Sequence, residues 1–144
     1  MSDYKEQAGS KPIFSNTSKH PMRIVVFASG SGGNLQAAID EANLNPNLIS
    51  VDLLVTDRLG IKSIEIAKQN NIRVIARDFE KQCGVWQQCK SSQDIKKYQQ
   101  NAIIFHNQVL ANIKDIESQS KFKFDLAVLC YHRWIHGKLL DYFD

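Results

Sequence analysis

Short runs of apolar and β-branched residues alternate with longer segments of helical spacing from Met22 onward. The short runs are nearly continuous, which is typical of strands buried on both faces, and they predict strands at 23–28, 51–56, 72–76 and 124–130. Apolar residues at helical spacing predict helices at 34–42, 61–69, 101–117 and 137–144. Alternation of this kind is typical of an α/β domain with a parallel sheet.

The order of these elements constrains the topology. Right-handed crossovers predict an open, Rossmann-like parallel sheet with strand order 3-2-1-4, in a three-layer α/β/α arrangement. The order reverses between strands 1 and 4, and ligands of such sheets bind at the carboxyl ends of the strands at that point. The loop after strand 1 and residues 131–136 after strand 4 meet there, so we expect the binding site between them.

Two segments do not fit the alternation. Residues 1–21 carry too little apolar surface to offset the cost of ordering them, so they predict a flexible tail before an α/β domain at 22–144. Residues 79 to about 100 are polar and rich in Gln and Lys, with Trp86 and Tyr98 as isolated aromatic residues. They predict a loop or a partly helical insertion.

Composition and charge narrow the class of protein. A chain of 144 residues with 43% hydrophobic and 23% charged residues is typical of one soluble globular domain. Its formal charge of +3 is spread without basic runs, so neither nucleic acid nor a membrane surface is indicated as a partner. The sequence shows neither a secretory signal nor a run approaching the roughly 20 apolar residues of a membrane span, so we expect a cytoplasmic location. The three cysteines form no CxxC pair and are interpreted as reduced thiols, with no metal site.

The loop after strand 1, which reads G-S-G-G-N over residues 30–34, is the first candidate for chemistry. Glycines let backbone N–H groups approach an anion, and the start of the following helix adds unpaired N–H groups and a positive dipole end. A phosphate is the natural ligand, although a sharp turn can require glycines without any ligand. Leu35 stands where a dinucleotide fingerprint needs its third glycine, whereas a flavin mononucleotide remains open.

Residues 23–40, which read RIVVFASGSGGNLQAAID, resemble the amino-terminal signature of phosphoribosylglycinamide formyltransferase, V-x-x-S-G-x-G-S/T-N-L-Q-A-I-I-D. In that family this loop holds the phosphate of glycinamide ribonucleotide. The resemblance therefore implies a phosphate contact at Gly32, Gly33 and Asn34. The family commonly has Ser or Thr where this chain has Gly33, so a hydroxyl donor is lost there.

A second segment, residues 125–141, is similar to the family's D-x-x-V-L-A-G-F-M-R-I-L-S-P-x-L-L-D, with one residue fewer before Arg133. The family uses this segment as a wall of its folate pocket, which the resemblance implies for His132, Arg133, Trp134 and Ile135. Trp134 and Ile135 offer apolar surface for a flat pterin ring, and nearby backbone groups could bind its polar edge. The same side chains could instead close the end of the sheet.

The resemblance implies an enzyme of purine biosynthesis. Such an enzyme transfers the formyl group of 10-formyltetrahydrofolate to the amine of glycinamide ribonucleotide, without a metal, and a homodimer is left open. The family's catalytic Asn, His and Asp come later in its sequence than the matched segments, so no catalytic residue is implied here. We expect the 144-residue chain to be an incomplete domain and inactive alone, because its last helix lacks a stop signal and strand 4 would be a bare edge.

The remaining histidines and cysteines carry weaker signals. His132 and His136 have no evident acid partner and are interpreted as loop-packing or exposed residues. His106 lies in the apolar stripe of its helix and is expected to be half-buried. Cys83 and Cys89 have no neighbouring base in the sequence, so nucleophilic catalysis is not indicated.

Three other functions remain open. The first is a phosphate- or mononucleotide-binding module of the flavin type, without catalysis. The second is an interaction fragment that pairs through the edge of strand 4 and the surface of Trp134. The third is a related formyltransferase that acts on methionyl-tRNA or on a sugar nucleotide, although such enzymes lack the glycine loop found here.

Overall fold

The computed structural model describes residues 20–143 of the chain. The tail predicted over 1–21 lies outside the described residues except for His20 and Pro21, and Asp144 lies outside them as well. The elements are β1 Met22–Ala28, α1 Gly33–Leu44, β2 Ile49–Thr56, α2 Lys62–Gln69, β3 Arg73–Ala76, α3 Phe79–Cys83, a 3₁₀ turn Trp86–Gln88, α4 Ser92–Ser120, β4 Leu126–Cys130 and α5 Lys138–Tyr142.

The strands form a parallel sheet with the order β3-β2-β1-β4 within the described residues, which confirms the predicted topology. The central strand β1 pairs with β2 on one side and with β4 on the other. Asp125 fixes the start of β4 against β1, since its carboxylate accepts from the Arg23 N–H and its own N–H donates to the Arg23 carbonyl. The strand itself begins at Leu126, two residues later than the apolar run predicts.

Helices cover both faces of the sheet, as the near-continuous apolar strands require. On one face, Leu35 and Ile39 of α1 and Ala67 of α2 pack against Ile24 and Val26 of β1. On the other face, α3, α4 and α5 pack against the alternate residues of β1 and β2 through the cluster of Val25, Phe27, Leu53, Val55, Phe79, Phe105, Val109, Ile113 and Leu139. The three-layer arrangement is therefore confirmed.

An irregularity interrupts the pairing of β1 with β2. Ile24 pairs with Val51 but Val25 pairs with Leu53, so Asp52 is an extra residue in β2. As a result Val51 packs against the α1 and α2 face, whereas Leu53 packs against the α4 face. Bulges of this kind are rare in parallel pairs and shift the side chains that follow to the opposite face.

The helix before β4 begins nine residues earlier than the apolar spacing predicts, at Ser92 rather than at residue 101. Ser91 and Asp94 form a capping box, in which the Ser91 hydroxyl accepts from the Asp94 N–H at 3.1 Å and the Asp94 carboxylate accepts from the Ser91 N–H at 3.2 Å. The first turns of the helix are mostly exposed and lack an apolar stripe, which explains the wrong prediction. The segment 79–100 is therefore mainly helical rather than a loop.

His106 is fully buried within α4 rather than half-buried. Its Nδ1 lies 2.9 Å from the Ala102 carbonyl oxygen, and its Nε2 lies 3.4 Å from the Tyr131 hydroxyl. Burial lowers the pKa of His106 to about 4, and burial raises the pKa of Tyr131. Both groups are therefore neutral near pH 7, an arrangement in which Nδ1–H donates to Ala102 and Nε2 accepts from Tyr131.

The buried imidazole predicts a loss of stability in mild acid. The unfolded chain binds a proton at His106 near pH 6.5, whereas the folded chain does so only near pH 4. The unfolded state therefore gains protons first, and stability falls by up to roughly 3 kcal/mol as the pH drops from about 6.5 to about 4. Thermal unfolding of the wild type and His106→Gln across this range measures the effect. The variant is less stable at pH 7 but has a flatter pH profile, and parallel profiles would contradict the assignment.

Candidate functional site

Two cavities adjoin the carboxyl ends of β1 and β4, where the strand order reverses. The loop cavity, of about 210 Å³, is lined by residues 30–35 of the glycine loop together with Ala28, Cys130 and His132. The aromatic cleft, of about 460 Å³, is lined by Phe79, Trp86, Gln87, Tyr98, Gln99, His132, Arg133, Trp134 and His136. Because His132 lies on both, the segment after β4 is a wall that the two cavities share.

The turn into α1 depends on Gly32. This residue has a φ of +83°, and a Cβ on it would lie 2.8 Å from Cδ1 of Ile66 and 3.2 Å from Cα of Ser63. Both the conformation and the space therefore require glycine. The buried Ser63 hydroxyl also donates to the Gly30 carbonyl at 2.6 Å, which ties the loop to α2.

The start of α1 leaves backbone donors available at the loop cavity. Gly32 is the N-cap, so the N–H groups of Gly33, Asn34 and Leu35 have no carbonyl of an earlier helical turn to bind. The first turn carries no acidic side chain, and Gly33 and Asn34 are exposed. An anion placed here would meet these N–H groups and the positive end of the helix dipole. The structure thus brings together Gly32, Gly33 and Asn34, whose phosphate contact remains a prediction.

A buried ion pair connects two loops at this end of the sheet. Asp57, directly after β2, is fully buried, and Nε of Arg133 donates to its Oδ2 at 2.6 Å. The Arg133 guanidinium also donates to Glu80 at 3.1 Å and lies 4.5 Å above the Phe79 ring. Its charge is thus balanced by two carboxylates. The guanidinium therefore holds the segment after β4 in place, while the predicted folate contact of Arg133 is untested.

Side chains of the segment after β4 alternate between inward and outward positions. Tyr131 packs edge-on against Phe27, and Ile135 packs against the α4 side of the core. His132 is exposed, its N–H donating to the Ser29 hydroxyl at 3.0 Å, and Trp134 is 87% exposed. Of the four predicted folate contacts, His132 and Trp134 are thus available to a ligand through their side chains, whereas Arg133 and Ile135 mainly pack inward.

The partners of these residues were not evident from the sequence. Nothing in the sequence around Asp57 indicates its partner Arg133, 76 residues away. Ser29 and Ser63 are buried in the structure, and the sequence gives no sign that these small polar residues are buried. The sequence signal that could have indicated this ion pair is an acidic residue directly after one buried strand and an arginine in the loop after another.

The cysteines and the other metal-ligating side chains form no further site. All three cysteines are free, and burial raises the pKa of the Cys83 thiol to about 11, which keeps it protonated. Among residues 20–143, no three His, Cys, Asp or Glu side chains are grouped as a metal site would require. No helix in the same range combines the length and apolar character needed to cross a membrane.

Known proteins resemble this chain in structure. It superposes on glycinamide ribonucleotide transformylase 1 from Geobacillus kaustophilus with a TM-score of 0.60 and 28% identity, over 87% of this chain and 55% of that one. A phosphoribosylglycinamide formyltransferase from Bacillus halodurans gives a TM-score of 0.57 and 28% identity, over 83% and 50%. No protein-family model and no curated protein matches the chain.

These likenesses define the chain first as a Rossmann-like α/β domain of the formyltransferase fold. More particularly, it resembles the amino-terminal portion of phosphoribosylglycinamide formyltransferase, which is also the resemblance that residues 23–40 carry. The chain spans about half the length of the solved structures it matches. A third structure, glycinamide ribonucleotide transformylase 1 from Symbiobacterium toebii, shares the fold at 22% identity and a TM-score of 0.54.

The ion pair predicts that Asp57→Asn is strongly destabilising. The substitution leaves a mostly buried guanidinium without its closest carboxylate, which costs roughly 3 kcal/mol in the free energy of unfolding. Glu80→Gln is the matched control, because Glu80 bonds the same guanidinium but is half exposed, and its loss costs at most about 1 kcal/mol. Urea denaturation of both variants measures the difference. Equal losses would show that burial of Asp57 does not matter.

Proposed function

We propose that this chain is the substrate-binding, amino-terminal part of an enzyme that forms formylglycinamide ribonucleotide. The enzyme transfers a formyl group from 10-formyltetrahydrofolate to the amine of glycinamide ribonucleotide, in purine biosynthesis. The observation that carries the proposal is the start of α1, whose unpaired backbone N–H groups border the loop cavity. The fold that holds this cavity is shared with a glycinamide ribonucleotide transformylase. We include in the proposal a cytoplasmic location and a small-molecule substrate, with no metal, nucleic acid or membrane, and a homodimer as the assembly to be tested.

The loop cavity is assigned to the phosphate of the ribonucleotide. No lysine or arginine lines it, and six of its nine lining residues belong to the glycine loop and the start of α1. The negative charge would therefore be met by the N–H groups at Gly32, Gly33 and Asn34 and by the helix dipole. This explains how a chain with a formal charge of only +3 and no basic cluster could bind a dianion.

The aromatic cleft is assigned to the folate, with His132, Arg133 and Trp134 forming one wall and Ile135 packed behind that wall against the core. When bound, 10-formyltetrahydrofolate supplies the formyl carbon that the amine attacks. Because His132 lies on both cavities, the two ligands would be held side by side, which brings the amine to that carbon. The proposal assigns binding and orientation, not proton transfer, to the residues described here.

One observation favours a second function, a mononucleotide-binding module of the flavin type. A cavity formed mostly by a glycine loop and a helix start would accept the phosphate of other monoesters as well as that of a ribonucleotide. Absorbance distinguishes the two, since a purified protein that carries or binds flavin mononucleotide is yellow. Tight flavin binding together with no affinity for glycinamide ribonucleotide would favour this alternative.

Gly33→Ser tests the phosphate assignment. A Cβ at Gly33 has no neighbour within 4 Å, so the serine fits and adds a hydroxyl where the resembled family commonly has one. One added hydrogen bond of about 1 kcal/mol strengthens binding of glycinamide ribonucleotide roughly fivefold by titration calorimetry.

The control ligand is the corresponding ribonucleoside, which lacks the phosphate and whose affinity the serine leaves unchanged. Gly32→Ala is the control variant, since its Cβ would collide with Ile66 and Ser63, and it weakens both folding and binding. A Gly33→Ser variant that improves nucleoside and nucleotide binding equally, or neither, would contradict a phosphate at this loop.

A further inference from the structure

The aromatic cleft has a second wall that comes from the polar segment between α3 and α4. The Trp86 ring lies 5.4 Å from the Tyr98 ring, and the Tyr98 ring lies 5.8 Å from that of Phe79, both in edge-on arrangements. Phe79 is buried, so the row is anchored in the core at one end and half exposed at Trp86. The Arg133 guanidinium covers Phe79, which joins this wall to the segment after β4.

The exposed aromatic surface in this cleft suits a flat ligand. Trp134, at 87%, and Trp86, at 47%, are among the large hydrophobic side chains left exposed, and both line the same cavity. The volume of about 460 Å³ falls in the range of small-molecule sites. Gln87 and Gln99 line the cavity as well and offer amide donors and acceptors, whereas no carboxylate does. Aromatic faces combined with amide groups suit a heteroaromatic ring with a hydrogen-bonding edge.

We propose that Trp86 and Tyr98 are specificity-determining residues that contact the pterin ring of the folate from the side opposite the segment after β4. The proposal rests on the proposed function and adds to it a wall that no matched segment supplies. It also gives the segment 79–100, which the sequence predicts as an insertion, a role in ligand binding. Tyr98 packs against the indole in a T-shaped arrangement, and Trp86 is 47% exposed, which leaves part of its surface available to a ligand.

The chain contains two tryptophans, and both lie on this cleft, so intrinsic fluorescence reports on each wall. Trp134→Phe leaves the emission of Trp86 alone, and Trp86→Phe leaves that of Trp134. Folic acid is the probe, with N-acetyltryptophanamide correcting for its absorption. We expect folic acid to quench both single-tryptophan proteins, and p-aminobenzoylglutamate, which lacks the pterin, to leave Trp86 unquenched.

Affinity provides the second readout. Trp86→Ala weakens binding of folic acid by about three- to tenfold, as the loss of one aromatic contact predicts. Leu44→Ala is the matched control, because Leu44 is an exposed apolar residue at the far end of α1 and lines neither cavity. Circular dichroism of each variant verifies that it is folded.

The outcomes separate this inference from the proposed function. The second wall would be rejected if folic acid did not bind, or if it bound Trp86→Ala with unchanged affinity. It would also be rejected if folic acid quenched Trp134 alone, or if p-aminobenzoylglutamate quenched Trp86 equally. Binding of glycinamide ribonucleotide, measured by calorimetry, tests the loop cavity independently. If glycinamide ribonucleotide does not bind but folic acid quenches both tryptophans, the proposed substrate is rejected and the second wall is retained.

Discussion

The buried carboxylate of Asp57 is the constraint on which the two cavities at the carboxyl end of the sheet depend. A charge with no exposure to water is tolerated only with a close partner. Arg133, from the segment after β4, is the closer partner at 2.6 Å, and the more exposed Arg58 lies 3.8 Å away. In the strand order β3-β2-β1-β4, this pair spans the end of β1, and so it passes beside the glycine loop. The ion pair of Arg133 with Asp57 therefore constrains the path of the segment after β4.

Both cavities follow from that path. Arg133 points inward, whereas its neighbours His132 and Trp134 are exposed. His132 then borders the glycine loop, to which its backbone is tied through Ser29, and Trp134 borders the aromatic cleft. Arg133 thus shapes both cavities, while its guanidinium is occupied by Asp57 and Glu80.

The fold could be predicted from the sequence because its signals are local. Strands buried on both faces appear as continuous apolar runs. Gly30, Gly32 and Gly33 mark the turn, where a side chain at Gly32 would collide with α2. The start of α4 was missed because its first turns face water and only the pair Ser91 and Asp94 marks them. The bulge at Asp52 depends on the register of a neighbouring strand, which no local pattern contains.

The candidate site was predictable to a different extent in its two halves. A loop with available backbone N–H groups is encoded by its glycines and by the helix that follows, so Gly32, Gly33 and Asn34 could be proposed directly from the sequence. The cleft is formed by side chains far apart in the chain. Trp86 and Trp134 line one cavity although α4 and β4 separate them in the chain, and no local sequence pattern indicates this proximity.

The extra residue Asp52 divides β2 into two parts, and the alternation of side chains between the two faces of the sheet changes phase between them. Its first half buries Val51 toward α1, and its second half buries Leu53 toward α4. Loss of one residue at the bulge would restore a regular ladder and leave Asp57 where it is, whereas a loss after Leu53 would pull Asp57 back by one position and turn it over. The strand therefore has one place at which its length can change during evolution without disconnecting the carboxylate from its arginine.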